Sequence, residues 1–133
     1  ANQTDSSFQA ILIDDGSPDK SGQICDAYVK NDHRFSVIHQ SNKGVSEARN
    51  AALQVLKTEW VAFVDADDWL EPNFVETLHK GQEQYEADIY IYDYFNEFQG
   101  QSTRKQLKNS AGILDEKWKK QIRLAPFHFL SMD

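Results

Sequence analysis

Short apolar runs alternate with helix-length amphipathic stretches along this sequence, and that order constrains the fold more than any other feature. In chain order, the runs and stretches occupy residues 9–15, 17–30, 35–40, 45–57, 60–65, 72–85 and 89–98. The runs have the length and composition of strands, whereas the stretches carry apolar side chains at helical spacing. The alternation predicts an α/β fold with a mainly parallel sheet flanked by helices. A chain of 133 residues is long enough to form a single such domain over residues 1–133.

Local signals refine this layout in three places. Ser17, Pro18 and Asp19 are typical of a helix start, because serine caps free N–H groups, proline fits the first turn and an acid favours the helix dipole. Residues 99–112 are polar and predict a mobile loop or a hairpin, and residues 115–124 predict a short helix. We therefore expect the first helix to begin at Ser17, directly after the first strand.

The charge and the cysteine content exclude several classes of protein. The net charge of −7 argues against a nonspecific nucleic-acid binder, which needs a basic face to neutralise phosphates. Cys25 is the only cysteine, so the chain has neither an intrachain disulfide framework nor a cysteine zinc cluster. The apolar runs are far shorter than a membrane-spanning helix, and the sequence shows no signal peptide. We expect a protein of the cytoplasm or of the cytoplasmic face of a membrane, without a nucleic-acid partner.

Carboxylates follow two of the predicted strands at the point where each strand ends. Asp14 and Asp15 close the first run, and Asp65 and Asp67 close the third. Because ligands of parallel sheets bind beyond the carboxyl ends of the strands, these side chains can share one crevice. Carboxylate oxygens at this spacing suit Mg²⁺ or Mn²⁺, which would also bind the phosphate oxygens of a substrate. The alternative is an acidic turn that caps the following helix.

A glycine and basic residues lie near these acids in the predicted layout. Gly16 permits a tight turn or the close approach of a ligand after the first strand. Lys43 and Gly44 precede a helix that carries Arg49 in its second turn. Arg49 could pair with phosphates or with the strand-end carboxylates. The alternative is a surface arginine that pairs locally with Glu47.

The histidines show no spacing typical of a metal site. They lie at His33, His39, His79 and His128. We therefore predict structural or surface roles for all of them.

Three segments in fixed order resemble the nucleotide-sugar half of the inverting family 2 glycosyltransferases. They are "ILIDDGSPD" at 11–19, "NKGVSEARNAAL" at 42–53 and "WVAFVDADDWLEPN" at 60–73. The resemblance covers about residues 8–95. It implies the GT-A fold, a Rossmann-like, mainly parallel sheet.

The resemblance also implies the residues of a donor site. The nucleotide-binding residues would be Asp14, Asp15, Gly16, Lys43, Gly44, Arg49 and Asp65, and the metal ligands would be Asp65 and Asp67. In such a site Asp15 contacts the base, and Arg49 lies near the base and the diphosphate. Asp65 binds the ribose and the metal, and Asp67 is the more direct ligand of Mn²⁺ or Mg²⁺.

The implied function is inverting transfer of a sugar from a nucleotide-diphosphate donor, with a UDP-sugar favoured, to a saccharide or lipid-linked acceptor. The setting would be polysaccharide biosynthesis for the cell envelope. In that family the acceptor half and the catalytic base follow a point equivalent to Asp133, so we assign no catalytic residue and expect at least donor binding. Asp115 and Glu116 are typical of a helix start and are poor candidates for the base.

The sequence departs from the family pattern before Phe8, where the usual first strand is lacking. In the family that strand lies between the strands that end at Asp14 and Asp65. The resemblance therefore implies a donor-binding portion truncated at both ends. Unpaired strand edges favour association, so we predict a homodimer formed through them.

Other functions fit parts of the pattern. A phospho-receiver module also carries acids after strands, but it needs a lysine after a further strand, and Lys105 lies in a polar stretch. A phosphatase of the strand-then-Asp-x-Asp type usually carries its motif after the first strand rather than the third. A non-catalytic remnant that only folds or oligomerises is the third alternative.

Overall fold

The computed structural model describes residues 1–105, and these form three helices and four strands. In chain order they are β1 (Ala10–Asp15), α1 (Ser21–Asn31), β2 (Phe35–Gln40), α2 (Val45–Val55), α3 (Phe74–Gln84), β3 (Tyr94–Phe98) and β4 (Gln101–Lys105). The helix predicted at 115–124 lies outside the described residues. The chain divides into two compact units, Ala1–Glu76 and the part from Thr77 onward. The prediction of one domain stays a prediction.

The first unit is built on a parallel pair of strands. β1 and β2 pair from Ala10 opposite Phe35 to Asp15 opposite Gln40. Helix α1 contacts both strands, and α2 contacts β1. The predicted α/β arrangement, a parallel sheet with flanking helices, is confirmed. Because the strands run in the same direction, their carboxyl ends lie at the same edge of the sheet.

Aromatic contacts hold the opposite edge of this sheet. The Phe35 ring lies 6.3 Å from the Phe8 ring in an edge-to-face arrangement and 5.7 Å from the Tyr28 ring of α1. The Arg34 guanidinium stacks 4.5 Å from the centre of the Phe8 ring and also pairs with Asp32 at 2.6 Å. Such contacts stabilise beyond the area they bury, and they connect the start of β2 to α1 and to the segment before β1.

Helix α1 begins at Ser21 rather than at the predicted Ser17. Ser17 donates its backbone N–H to the carboxylate of Asp14 at 3.0 Å, so residues 16–20 form a turn after β1. Asp19 instead accepts the backbone N–H of Ser21 at 2.9 Å. The helix start was therefore predicted at the wrong residue, because the Ser17 side chain, which would have to accept the N–H groups of a first turn, bonds Asp14 instead.

The prediction of a strand at 60–65 was also wrong, because these residues form no strand in the structure. Val61, Phe63 and Val64 are half-exposed. An apolar run becomes a strand only when a neighbour pairs with its backbone groups, and within residues 1–105 the sheet of β1 contains only β2 as a partner.

The start of α3 is held by the amino-terminal segment. The Gln3 side chain accepts the N–H of Val75 at 3.0 Å and donates to the carbonyl of Glu71 at 2.9 Å. Thr4 donates its backbone N–H to Pro72 at 2.7 Å. Val75 is the only buried residue among those described, at 9% exposure. The helix therefore begins at Phe74, two residues after the proline that predicted its start.

The second unit contains an antiparallel hairpin. Tyr94–Phe98 pairs with Gln101–Lys105, and the turn has positive φ at Gln99 and Gly100. The strand predicted at 89–98 is thus confined to its last five residues. Residues 99–105 form the turn and second strand of a hairpin, and residues 106–112 lie outside the described part. No helix within residues 1–105 is long and apolar enough to cross a membrane.

Candidate functional site

The turn after β1 lies against the loop that precedes α2. Gly16 has a φ of +71°, and a Cβ atom at this position would lie 2.7 Å from the backbone nitrogen of Asn42. A positive φ disfavours residues with a side chain, and the contact leaves no room for one. Gly16 therefore allows two backbone segments to meet at the carboxyl edge of the sheet.

Asp15 joins β1 to the start of α2. Its Oδ1 atom accepts the Lys43 N–H at 2.9 Å and the Gln40 side-chain amide at 2.7 Å, and its Oδ2 atom accepts the Gly44 N–H at 2.8 Å. Gly44 is the N-cap residue of α2, with a φ of 86°, and has no side chain to cap the helix. Asp15 supplies the acceptor that this helix start lacks.

These bonds also set the charge state of Asp15. The Gln40 amide, followed by the Lys43 N–H, lowers the pKa of this carboxyl below its usual value. A carboxylate has about four acceptor positions, and three are used within the protein. Asp15 is therefore ionised at neutral pH, and beyond its bonds within residues 1–105 it has one further acceptor position.

Asp14 is bonded on both of its oxygens. Oδ1 accepts the Ser17 N–H at 3.0 Å, and Oδ2 lies 2.9 Å from Nδ1 of His39. These bonds, that from His39 first, lower the pKa of Asp14 to about 2. The side chain is only 13% exposed. Asp14 thus anchors the turn from within, whereas Asp15 reaches across to the neighbouring loop.

His39 is the residue of this site that the sequence analysis missed. Its Nε2 atom lies 3.1 Å from Oδ1 of Asp26 on α1, so the ring bridges two carboxylates. The prediction of a structural or surface role rested on the lack of metal-site spacing along the chain. The signal that could have found it is the strand register, which places His39 directly opposite Asp14.

Arg49 and Asp65 form the second half of the candidate site. Arg49 donates from Nη2 to Oδ1 of Asp65 at 2.8 Å, and its guanidinium lies 5.7 Å from the centre of the Phe63 ring. The side chains of Arg49 and Asp65 are 39% and 58% exposed. The backbone N–H of Asp68 donates to the carbonyl of Asp65 at 3.1 Å and closes a turn around Asp67. An arginine of α2 is thus brought to the Asp-x-Asp segment, where both partners face solvent.

Asp65 and Asp67 are the residues of this segment that could hold a metal ion through their carboxylate oxygens. Within residues 1–105, no group of three or more His, Cys, Asp or Glu side chains is arranged to hold a metal ion by itself. Mg²⁺ and Mn²⁺ do not require such a cage, since they often bind one or two carboxylates together with water and substrate phosphates. The two acids fit an ion that arrives with a phosphorylated ligand.

Comparisons with known proteins agree on one family. A family model described as glycosyl transferase family 2 matches residues 1–132. Glycosyltransferase GlyA of Streptococcus pneumoniae is 44% identical over 100 residues, which cover 74% of this chain and 14% of that protein. Glycosyltransferase GlyG of the same organism is 43% identical over 95 residues, covering 71% of this chain and 32% of that protein. Chondroitin synthase of Escherichia coli is 36% identical over 75 residues, which cover 56% of this chain and 11% of that protein. The chain spans about a third or less of the length of these relatives.

Proposed function

This chain belongs to glycosyl transferase family 2, and on that premise we propose that the carboxyl edge of its parallel sheet binds the nucleoside diphosphate of a sugar donor. A UDP-sugar is the favoured donor, and a saccharide or a lipid-linked saccharide is the acceptor. The match to a chondroitin synthase supports polysaccharide biosynthesis as the setting.

The observation that carries this proposal is the pairing of Arg49 with Asp65 beside Asp67. A guanidinium binds phosphate oxygens in a fixed, often bidentate geometry. The neighbouring carboxylates provide the oxygen ligands that Mg²⁺ and Mn²⁺ prefer. The cationic group and the carboxylate pair are adjacent and exposed. They are complementary to a metal-bound diphosphate, whose phosphates are negative and whose metal ion is positive.

The nucleoside would lie nearer the turn after β1. The remaining acceptor position of Asp15 could accept an N–H of the base, and Asp14 would keep the turn in place through its bond to Ser17. Lys43 uses its backbone N–H to hold Asp15, and its exposed ammonium group could approach a phosphate. Gly44, where nothing lies within 4 Å of the position that a Cβ would occupy, would let the backbone approach a ligand closely, whereas Gly16 holds the turn against Asn42.

In this proposal Asp67 and Asp65 would hold the metal ion. When bound, the ion supplies positive charge that stabilises the leaving diphosphate. Arg49 would release one oxygen of Asp65 and direct its own N–H groups towards the diphosphate. The acidic pair and the arginine would thus bind and orient the donor.

Titration of the protein with UDP by calorimetry, with and without Mn²⁺, tests the proposal. We expect binding that is at least about tenfold tighter with Mn²⁺, because Asp65 and Asp67 would hold the ion, which would supply positive charge to the diphosphate. Circular dichroism of the same sample shows whether it is folded. Equal affinity with and without Mn²⁺, or no binding by a folded sample, would contradict the proposed donor site.

We also propose a homodimer formed through strand edges. Within residues 1–105, β1 and β2 each pair along one edge only, and Val61, Phe63 and Val64 are half-exposed. Unpaired edges and exposed apolar side chains favour association. Sedimentation velocity should show a dimer, and a monomer at every concentration studied would contradict this proposal. We propose the cytoplasm, or the cytoplasmic face of a membrane, as the compartment, where the single cysteine Cys25 stays a free thiol.

A further inference from the structure

His39, on β2, connects helix α1 and the end of β1 through its imidazole ring. Nδ1 lies 2.9 Å from Asp14 at the end of β1, and Nε2 lies 3.1 Å from Asp26 on α1. An ionised carboxylate only accepts hydrogen bonds, so both ring nitrogens must carry a proton to make both bonds. Both bonds can form at once only in the imidazolium form of His39.

We propose that this imidazolium makes His39 a positioning residue of the nucleotide site, since it holds the turn after β1 in place by bonding Asp14 and Asp26 at once. The inference rests on the proposed function, because the turn that His39 holds is the one assigned to the nucleoside. His39 would act through Asp14 and would not itself touch the donor.

The packing around the ring supports this role. A Cβ atom at Gly22, in the first turn of α1, would lie 2.5 Å from Oδ2 of Asp14 and 3.4 Å from Cε1 of His39. The helix can approach the pair this closely only because residue 22 is a glycine. On its other oxygen, Asp14 holds the N–H of Ser17. The position of the turn therefore depends on the His39 bridge, which is the pair of hydrogen bonds from His39 to Asp14 and to Asp26.

The His39 bridge also influences the residue that binds the start of α2. Asp14 adjoins Asp15, which binds the N–H groups of Lys43 and Gly44 at the start of that helix. A shift of Asp14 would move the next residue of the chain with it, and Asp15 carries the acceptor position proposed for the base. The hydrogen bonds of His39 to Asp14 thus influence the position of Asp15, the proposed ligand contact, which is the next residue of the chain.

The charges around His39 favour its protonated form. The charged groups that act on the His39 ring are both acidic: Asp14 at the end of β1 and Asp26 on α1. The bond to Asp14, followed by the bond to Asp26, raises the pKa of His39 above its usual 6.5. For a raised pKa, the contribution of the imidazolium is fully present below 6.5 and is lost as pH rises through the folded-state pKa.

The test measures UDP affinity in the presence of Mn²⁺ from about pH 6 to about pH 8.5, across the range in which a raised histidine pKa falls. We expect the affinity of the wild type to fall about fivefold over this range, as one positioning bond is lost. His39→Gln should bind more weakly than the wild type at the acidic end and lack the pH-dependent step. The matched control is His33→Gln, an exposed histidine before β2, which should follow the wild type.

A second variant and a nucleotide-free measurement complete the test. Asp26→Asn keeps the shape of the side chain but removes its charge, so the fall in affinity should move to lower pH. Nitrogen NMR of the His39 ring should show both nitrogens protonated at about pH 6.5 without any nucleotide. A neutral ring at that pH, or the same pH profile in the wild type and His39→Gln, would overturn the positioning role alone. A wild type that binds no UDP at any pH would contradict the proposed function and the positioning role together, even if the ring is protonated.

Discussion

Asp67→Asn is expected to remove the metal-dependent part of UDP binding. The variant keeps the size of the side chain but loses the charge that makes a carboxylate a ligand for Mn²⁺. We expect its affinity with Mn²⁺ to fall at least about tenfold, to the level measured without the ion. Calorimetry with and without Mn²⁺ measures both values on the same sample. Asp67 is a cleaner target than Asp65, because Asp65 also bonds Arg49.

The matched control is Asp68→Asn, at the next residue of the same acidic segment. Asp68 donates its backbone N–H to Asp65, and this bond does not require its side chain. Both variants remove one negative charge, so a general effect of charge on UDP binding would be equal in the two. Equal losses would contradict the assignment of Asp67 as a metal ligand, whereas a loss confined to Asp67→Asn would support it.

Gly16→Ala is expected to destabilise the first unit and to weaken UDP binding. The residue has a φ of +71°, which costs an alanine about 1–2 kcal/mol. The added Cβ would also meet the backbone nitrogen of Asn42 at 2.7 Å, and overpacking of this kind costs about 1–3 kcal/mol. We therefore expect the free energy of unfolding to fall by about 2–5 kcal/mol in a denaturant titration. UDP affinity should fall as well, because the two backbone segments could no longer meet.

Gly100→Ala separates backbone strain from the close contact. Gly100 has a φ of +77°, but nothing lies within 4 Å of the position that its Cβ would occupy. We expect a loss of about 1–2 kcal/mol from strain alone and an unchanged UDP affinity. Equal stability losses in the two variants would show that the contact between Gly16 and Asn42 contributes nothing.

The local patterns predicted the elements whose sequence and partners agree. The apolar runs that became β1 and β2 are adjacent strands of one sheet, and the stretch that became α2 was placed within two residues of its observed end. The run at 60–65 has the same apolar character but forms no strand. Strand formation depends on a neighbouring backbone as well as on side-chain pattern, so composition alone could not distinguish these cases.

The prediction of where α1 begins was wrong for a related reason. The sequence around Ser17 contains a good capping residue, but both its N–H and its side chain bond Asp14 at the end of the strand before it. Which acceptor takes an N–H depends on where the strand end lies in space. In the structure the N-cap position of α1 falls on Lys20, which makes no side-chain cap bond, and Asp19 accepts the N–H of Ser21.

By itself, the sequence determined the kinds of groups that could meet at the carboxyl edge of the sheet. The order of strands and helices places Asp14, Asp15 and Arg49 near that edge, and the residue types limit what they can bind. Only the tertiary structure decided which partners these groups take. The bonds of Asp15 to the start of α2 and of Asp14 to His39 join residues 25 to 29 positions apart. Their formation depends on strand register and on helix packing, which no local pattern encodes.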